Sequence, residues 1–231
     1  MGTGVRIPDR VAAVSVGVLW GKKHRDPQPE LLPVTDVGIA IVNGGSVVER
    51  RDLGSDELLS SASRLADLEL PLLTFNAFRF DWLALGSLVD VDALLPLTID
   101  IYSALLPCVA DIVDAEGTSG FPLRGEYGVL NPYRVAETNL GYVPGSSDDA
   151  IGDAELAAEL WFQLLESERV VLAGRTHALS EDSLALLRGE RSAFSDTATW
   201  RRMVSERPEP KPYRKRSRHQ VTFPRIDQRY V

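Results

Sequence analysis

A single cysteine, Cys108, stands in 231 residues, so an internal disulfide framework and a CxxC metal knuckle are both excluded. Cysteine poverty of this kind is compatible with a reducing cytoplasm, where the protein is expected to reside. The three histidines, His24, His177 and His219, are scattered, which argues against a zinc cluster. No run approaches the roughly 18 apolar residues of a membrane span, so no membrane partner is expected. The apolar stretch "VAAVSVGVLW" follows Arg6 and Arg10 as in a signal peptide. It is short, however, and "GKK" follows it in place of a small-x-small cleavage site, so a core strand is the better reading. GxGxxG dinucleotide fingerprints and nucleophile elbows are missing. "GVLWGKK" has three residues between its glycines where a P-loop has four, and Lys23 stands where Ser or Thr would hold Mg²⁺.

Apolar residues are plentiful, at 44%, enough to bury a sizeable core. The length suits one α/β domain with an appendage, or two small domains. The net charge of −8 conceals an asymmetry. Residues 207–231 hold eight Lys and Arg against Glu209 and Asp227, a balance of +6 that leaves −14 on the body. An acidic body excludes a generic DNA-coating protein. The basic tail is suited to nucleic acid, to a protein partner or to the body's own acidic face.

Three leading strands are expected: "RVAAVSVGVLW", "VTDVGIAIV" and "SVVERRDL", the last two joined by an "NGG" hairpin in which Asn43 and Gly44 take positive φ. "GSDELLSSASRLADL" has helical spacing after a Ser55 cap. "PLLTF" reads as a short strand, and "NAFRFDWLALGSLV" as a helix capped by Asn76. "PLTID" reads as a strand, and "IYSALLPCVADIVD" as a helix that Pro107 breaks or kinks. Residues 115–131 read as loop. "NPYRVAETNLG" is a helix with Asn131 as cap, Pro132 in the first position and Gly141 past the end. "SSDDAIGDAELAAELWFQLLE" is the strongest helix in the chain. "RVVLAG" is a strand or a buried turn; "SEDSLALLRG" and "SDTATWRRMVSE" are helices. Three segments follow: a core domain over 1–168, a helical extension over 169–206 and a Pro-containing basic tail over 207–231.

Three carboxylates sit badly in this pattern. Asp81 lies among Phe78, Phe80, Trp82, Leu83 and Leu85, and a buried acid needs a partner, a metal or a task. It either accepts backbone N–H bonds near a helix start or serves a site. Asp153 precedes Ala157, Leu160 and Leu164 by 4, 7 and 11 residues, which puts it on the apolar face of its helix. Asp148 and Asp149, one turn earlier, suit the helix macrodipole; Asp153 is further in and faces the wrong way for that. Asp100 ends a strand and precedes a helix, as a plain cap would. Inward carboxylates from two helices beside a group of strands suggest a divalent site for Mg²⁺ or Mn²⁺.

The order of these elements resembles the DEDD (DnaQ-like) 3′–5′ exonucleases of the ribonuclease H-like superfamily, and most nearly their polymerase-B-exonuclease-like branch. "LLTFNAFRFDWLAL" resembles the second motif, with Asp81 as metal-binding aspartate, and "DDAIGDAELAAELW" resembles the third, with Asp153. "LNPYRVAETNLG" resembles the short helix before it, and the likeness runs over roughly residues 10–168. The resemblance implies an α/β fold built on a ribonuclease H-like mixed sheet flanked by helices. It also implies Mg or Mn held by Asp81 and Asp153, with Asp149 as a substitute ligand. Two departures weaken the implied activity. The family's first motif, Asp-x-Glu, falls on Ser15 and Gly17, and its Tyr or His before the third aspartate falls on Asp149 or Asp148. The expectation is therefore a degenerate exonuclease, inactive or weakly active, with Asp81 and Asp153 as residual catalytic residues. It would bind single-stranded DNA or RNA, or a protein partner. Candidate nucleic-acid contacts are Asn76, Phe80, Trp82, Arg214, Lys215, Arg216 and Arg218, the aromatics by stacking and the basic residues on phosphates. An active metal-dependent exonuclease and a protein-interaction scaffold are the alternatives.

Overall fold

The structure is a computed structural model that describes residues 8–19, 29, 32–54, 65–86, 88–115, 130–142, 149–194 and 197–205. Most of the helix expected from Ser55, most of the loop at 115–131, Asp148 and the whole basic tail lie outside the described residues; the end of that expected helix is a 3₁₀ turn, Ala66–Leu68.

Strands β1 (Arg10–Val18), β2 (Val34–Asn43) and β3 (Ser46–Gly54) form an antiparallel run. β4 (Leu72–Thr74) and β5 (Thr98–Asp100) add to the other side of β1 in parallel. The five-stranded order is β3-β2-β1-β4-β5. This mixed sheet, with helices on both sides, is of the α/β class expected from the sequence. The hairpin turn is displaced by one residue. Asn43 still pairs with Ser46, and positive φ falls on Gly44 (53°) and Gly45 (85°). Two consecutive left-handed residues match the twist of the strands, and glycine takes that conformation without a Cβ clash.

Strand alternation divides the core between the two faces of the sheet. Val11 and Ala13 of β1 face helix α2 (Ile101–Ala115) and helix α4 (Ala150–Ser167), where Tyr102, Leu105, Ala154, Ala157 and Trp161 are buried. Ala12, Val14 and Val16 face the opposite side, against Phe78, Trp82 and Leu85. Pro107 lies inside α2 and does not end it. Helix α3 (Pro132–Leu140) starts and stops as expected: the Asn131 side chain accepts from the Arg134 N–H, and Gly141 closes the end at φ 68°. Between β4 and β5 the expected helix is replaced by a π-helical turn (Ala77–Asp81) and a single α-turn, α1 (Trp82–Leu85). Asn76 makes no side-chain cap bond there. The wider turn lets Asn76 O accept from both the Phe80 and the Asp81 N–H groups.

After α4, the residues read as helical extension open with a hairpin, β6 (Arg169–Leu172) and β7 (Arg175–Ala178). Its turn is Ala173–Gly174, both at positive φ. Helix α5 (Glu181–Leu187), capped by Ser180, follows, then α6 (Thr197–Ser205). Both are tied to the core by indoles. Trp161 Nε1 donates to Leu187 O at 2.6 Å, and Trp200 Nε1 donates to Phe78 O at 3.0 Å. No described helix is long and apolar enough to cross a membrane.

The first turn of α4 lies directly on the sheet. A Cβ at Gly38 of β2 would stand 2.2 Å from the backbone of Ala150 and Ile151. Gly38→Ala is therefore expected to lose on the order of 3 kcal/mol of stability by overpacking a backbone contact. Urea unfolding checks this, and an unchanged midpoint would contradict it.

Candidate functional site

The carboxyl ends of β1, β4 and β5 meet the start of α4 and carry the acids in question. Asp81 ends the π-helical turn and is buried, 6% exposed. Its Oδ1 accepts from the Val16 N–H at 3.3 Å, a bond from the first strand to the second candidate motif. Burial pushes the Asp81 carboxyl up to about 7, and the neighbouring charges of Asp100 and Asp153 add to the shift against the Val16 bond.

Asp100, read as a cap, is one. Its Oδ2 accepts from Ser103 N (3.2 Å) and Ser103 Oγ (2.5 Å) at the start of α2. Its Oδ1 accepts from Ala77 N (3.1 Å) and Thr74 Oγ1 (3.5 Å), so it also pins the entry to the π-helical turn. Burial raises its pKa to about 6, while the bonds from Ser103 and Ala77 pull the other way. Burial thus raises both carboxyls, and the charge of Asp100 raises Asp81 further.

Asp153 lies one turn into α4, half-buried, where the helical pattern puts it. Tyr133 of α3 donates its phenolic hydroxyl to this carboxylate, at 2.8 Å from Oδ1 and 3.0 Å from Oδ2. The hydroxyl sits astride both oxygens. Asp149 is exposed and caps α4, its Oδ1 accepting from Gly152 N at 2.9 Å.

Ser15 and Gly17 share the strand parity of Val11 and Ala13, so both face α4. Gly17 pairs directly with Asp36 of β2. A Cβ at Gly17 would stand 2.1 Å from Asp36 Oδ1. That carboxylate fills the space a side chain at position 17 would need. From there its Oδ2 accepts from Ala150 N, the first amide of α4, at 3.1 Å, and its Oδ1 accepts from Thr35 Oγ1 at 2.5 Å. A helix-terminal N–H is thus satisfied by a carboxylate lying in the space beside Gly17.

Of the acids expected to hold a metal, Asp81 is buried and accepts from Val16 N, Asp153 accepts from Tyr133, and Asp149 accepts from Gly152 N at the α4 N-terminus. Among the described residues, no group of three or more His, Cys, Asp or Glu side chains is placed to hold a metal ion.

The candidate nucleic-acid contacts separate. Trp82 is fully buried, and its indole N–H donates to Thr98 Oγ1 at 3.0 Å. It is a core residue and no platform for a base, because both its faces and its polar edge are used internally. Phe80 is half-buried. The Oδ1 atom of Asn76 is buried with no hydrogen-bond partner. Arg214, Lys215, Arg216 and Arg218 lie outside the described residues. Sequence reasoning did not single out Asp36 or Tyr133. The opposition of Asp36 to Gly17 follows only once the β1–β2 register is known, and nothing local marks Tyr133, twenty residues before the acid it covers.

No family model and no curated protein matches the chain. A solved structure described as "3'-end specific recognition of histone mRNA stem-loop by 3'-exonuclease" superposes on it with a TM-score of 0.48 and 10% identity, over 77% of this chain and 93% of that one.

Two predictions follow from the acids. The native protein keeps a proton on Asp81 that the unfolded chain releases near pH 4, so this group lowers stability as pH rises from about 4 to about 7. Asp81→Asn removes that loss and should raise stability at pH 8 by roughly 2–4 kcal/mol. The two proteins should converge near pH 4, which melting curves across the pH range would register. Asp36→Ala strips the cap from Ala150 N and should cost about 1–2 kcal/mol. An equal or higher urea midpoint would refute the bracing role of Asp36.

Proposed function

We propose that the chain is a degenerate 3′–5′ exonuclease-like protein that binds single-stranded nucleic acid without cutting it at an enzyme's rate. One observation carries this reading: the Asp36 carboxylate occupies the space that a first-motif side chain at position 17 would need, and it is bonded to the α4 N-terminus. The position lost in sequence has been refilled by a structural group. The Tyr133 hydroxyl on Asp153 and the burial of Asp81 support the same reading, since a nucleotidyl-transfer site depends on accessible carboxylates to hold its metals. Removing such charge-stabilising groups costs orders of magnitude in rate.

What remains suited to binding is the ribonuclease H-like frame, the half-buried Phe80 and the sequence of the tail, "KPYRKRSRHQVTFPRIDQRYV". The tail interleaves Tyr213, Phe223 and Tyr230 with basic residues, a composition that pairs phosphate attraction with stacking.

The test uses 3′-labelled single strands of DNA and of RNA with Mg²⁺ or Mn²⁺, on the wild type and on Asp81→Ala. We expect no metal-dependent shortening that separates the two proteins. Binding should weaken steeply with added salt. Shortening that Asp81→Ala abolishes would establish an active exonuclease. Failure to bind either strand at low salt would leave a protein-interaction scaffold.

A further inference from the structure

Two arginines converge on one cleft of an otherwise acidic body. The cleft, about 240 Å³, lies between the π-helical turn, α2, α5 and the segment after α5. Arg79 and Arg191 line it together with Leu106, Leu186 and Phe194, and with Ser103, whose hydroxyl is committed to Asp100.

The two cations are held differently. The Arg79 guanidinium lies over the Tyr102 ring, 5.0 Å from its centroid, with Nη1 3.5 Å from the phenolic oxygen. Stacking of this kind uses the face of the guanidinium and fixes its plane, while hydrogen bonding proceeds from its edge. Arg191 meets Asp182, with Nη2 at 3.2 Å from Oδ1 and donating to the backbone O at 3.4 Å. Both partners are largely in water, 51% and 85% exposed, so the pair is weak and readily exchanged. A bidentate anion gives an arginine stronger bonds than such a surface partner. The apolar wall is fixed as well, because Phe194 packs edge-to-face on the buried Phe78 with centroids 4.8 Å apart.

We propose that this cleft binds a small organic phosphate monoester, its dianionic head between Arg79 and Arg191 and its apolar body against Leu106, Leu186 and Phe194. A monoester carries close to two negative charges at neutral pH, which suits two guanidinium groups better than a carboxylate does. The volume is below that of common drug-sized sites and suits a ligand of roughly a dozen non-hydrogen atoms. The cleft adjoins the acid cluster through Ser103, which donates to Asp100, and through Arg79, whose charge acts on that carboxyl, but the proposal does not rest on the proposed function.

Titration calorimetry on the full chain with phenyl phosphate, at about 50 mM salt to limit screening, tests the site. Saturable binding should weaken about tenfold or more in Arg191→Gln and in Arg79→Gln, as expected when a charged hydrogen-bond partner is lost. Phe194→Ala should weaken phenyl phosphate while leaving inorganic phosphate within about twofold, since only the apolar body meets that ring. Arg191 is half in water, so its variant decides the matter even if Arg79→Gln disturbs the fold. A nucleoside 5′-monophosphate that binds tighter than phenyl phosphate, with the same arginine dependence, would assign the site to nucleotides. Equal or weaker binding would assign it to other monoesters. No saturable binding up to about 10 mM would overturn the proposal. So would undiminished binding in Arg191→Gln, which would point to the basic tail as the anion binder.

Discussion

The first turn of α4 rests on the backbone of β2 and is fastened by a carboxylate reaching across from that strand. Gly38 permits the contact, and Asp36 closes it by accepting from Ala150 N through the space left open at Gly17. A helix end seated on a sheet must satisfy its free N–H groups without water. Here two acids do so, Asp36 at Ala150 and Asp149 at Gly152. This arrangement positions Asp153 one turn later and makes the first strand incompatible with a larger residue at position 17. The rest of the acid cluster is arranged around it.

That cluster is a set of braces with a residual electrostatic cost. Asp100 joins the start of α2 to the π-helical turn, Asp81 joins that turn to β1, and Tyr133 joins α3 to α4 through Asp153. Each acid has found donors, as buried polar groups must. The donors do not offset the loss of water at either acid, nor at Asp81 the nearby charge of Asp100, so both carboxyls are pushed up.

Much of this frame can be read in the chain, because its signals are local. β-Branched runs mark β1 and β2, and Asn131, Pro132 and Gly141 bracket α3 to the residue. Asp153 stands out against the apolar stripe of α4. The signals failed where tertiary contacts decide the outcome. "NAFRFDWLAL" has helical composition, but Asp100 and Asn76 O draw its backbone into a π-helical turn. "RVVLAG" supplies both the strand β6 and the Ala173–Gly174 turn, but the returning strand β7 goes unmarked because alanine seldom takes positive φ, whereas Asn-Gly would announce a hairpin. Trp82 reads as a stacking surface until Thr98 is seen to take its N–H. Asp36 and Tyr133 act across long sequence separations that no motif encodes.

The outer strand β3 bears on how the molecule keeps to itself. It forms one margin of the sheet and carries Glu49, Arg50, Arg51 and Asp52 in succession. Suppose two copies met margin to margin, antiparallel, about the middle of that tetrad. Arg50 would then oppose Arg51, and Glu49 would oppose Asp52. Like charges facing across a ladder repel, and Arg50 is already engaged by Glu155 of α4. The nine-residue margin thus has the open backbone that invites sheet extension and a charge order that penalises its most symmetric form. Edge-to-edge pairing of this symmetric kind is discouraged by charge order, with no proline in the strand itself.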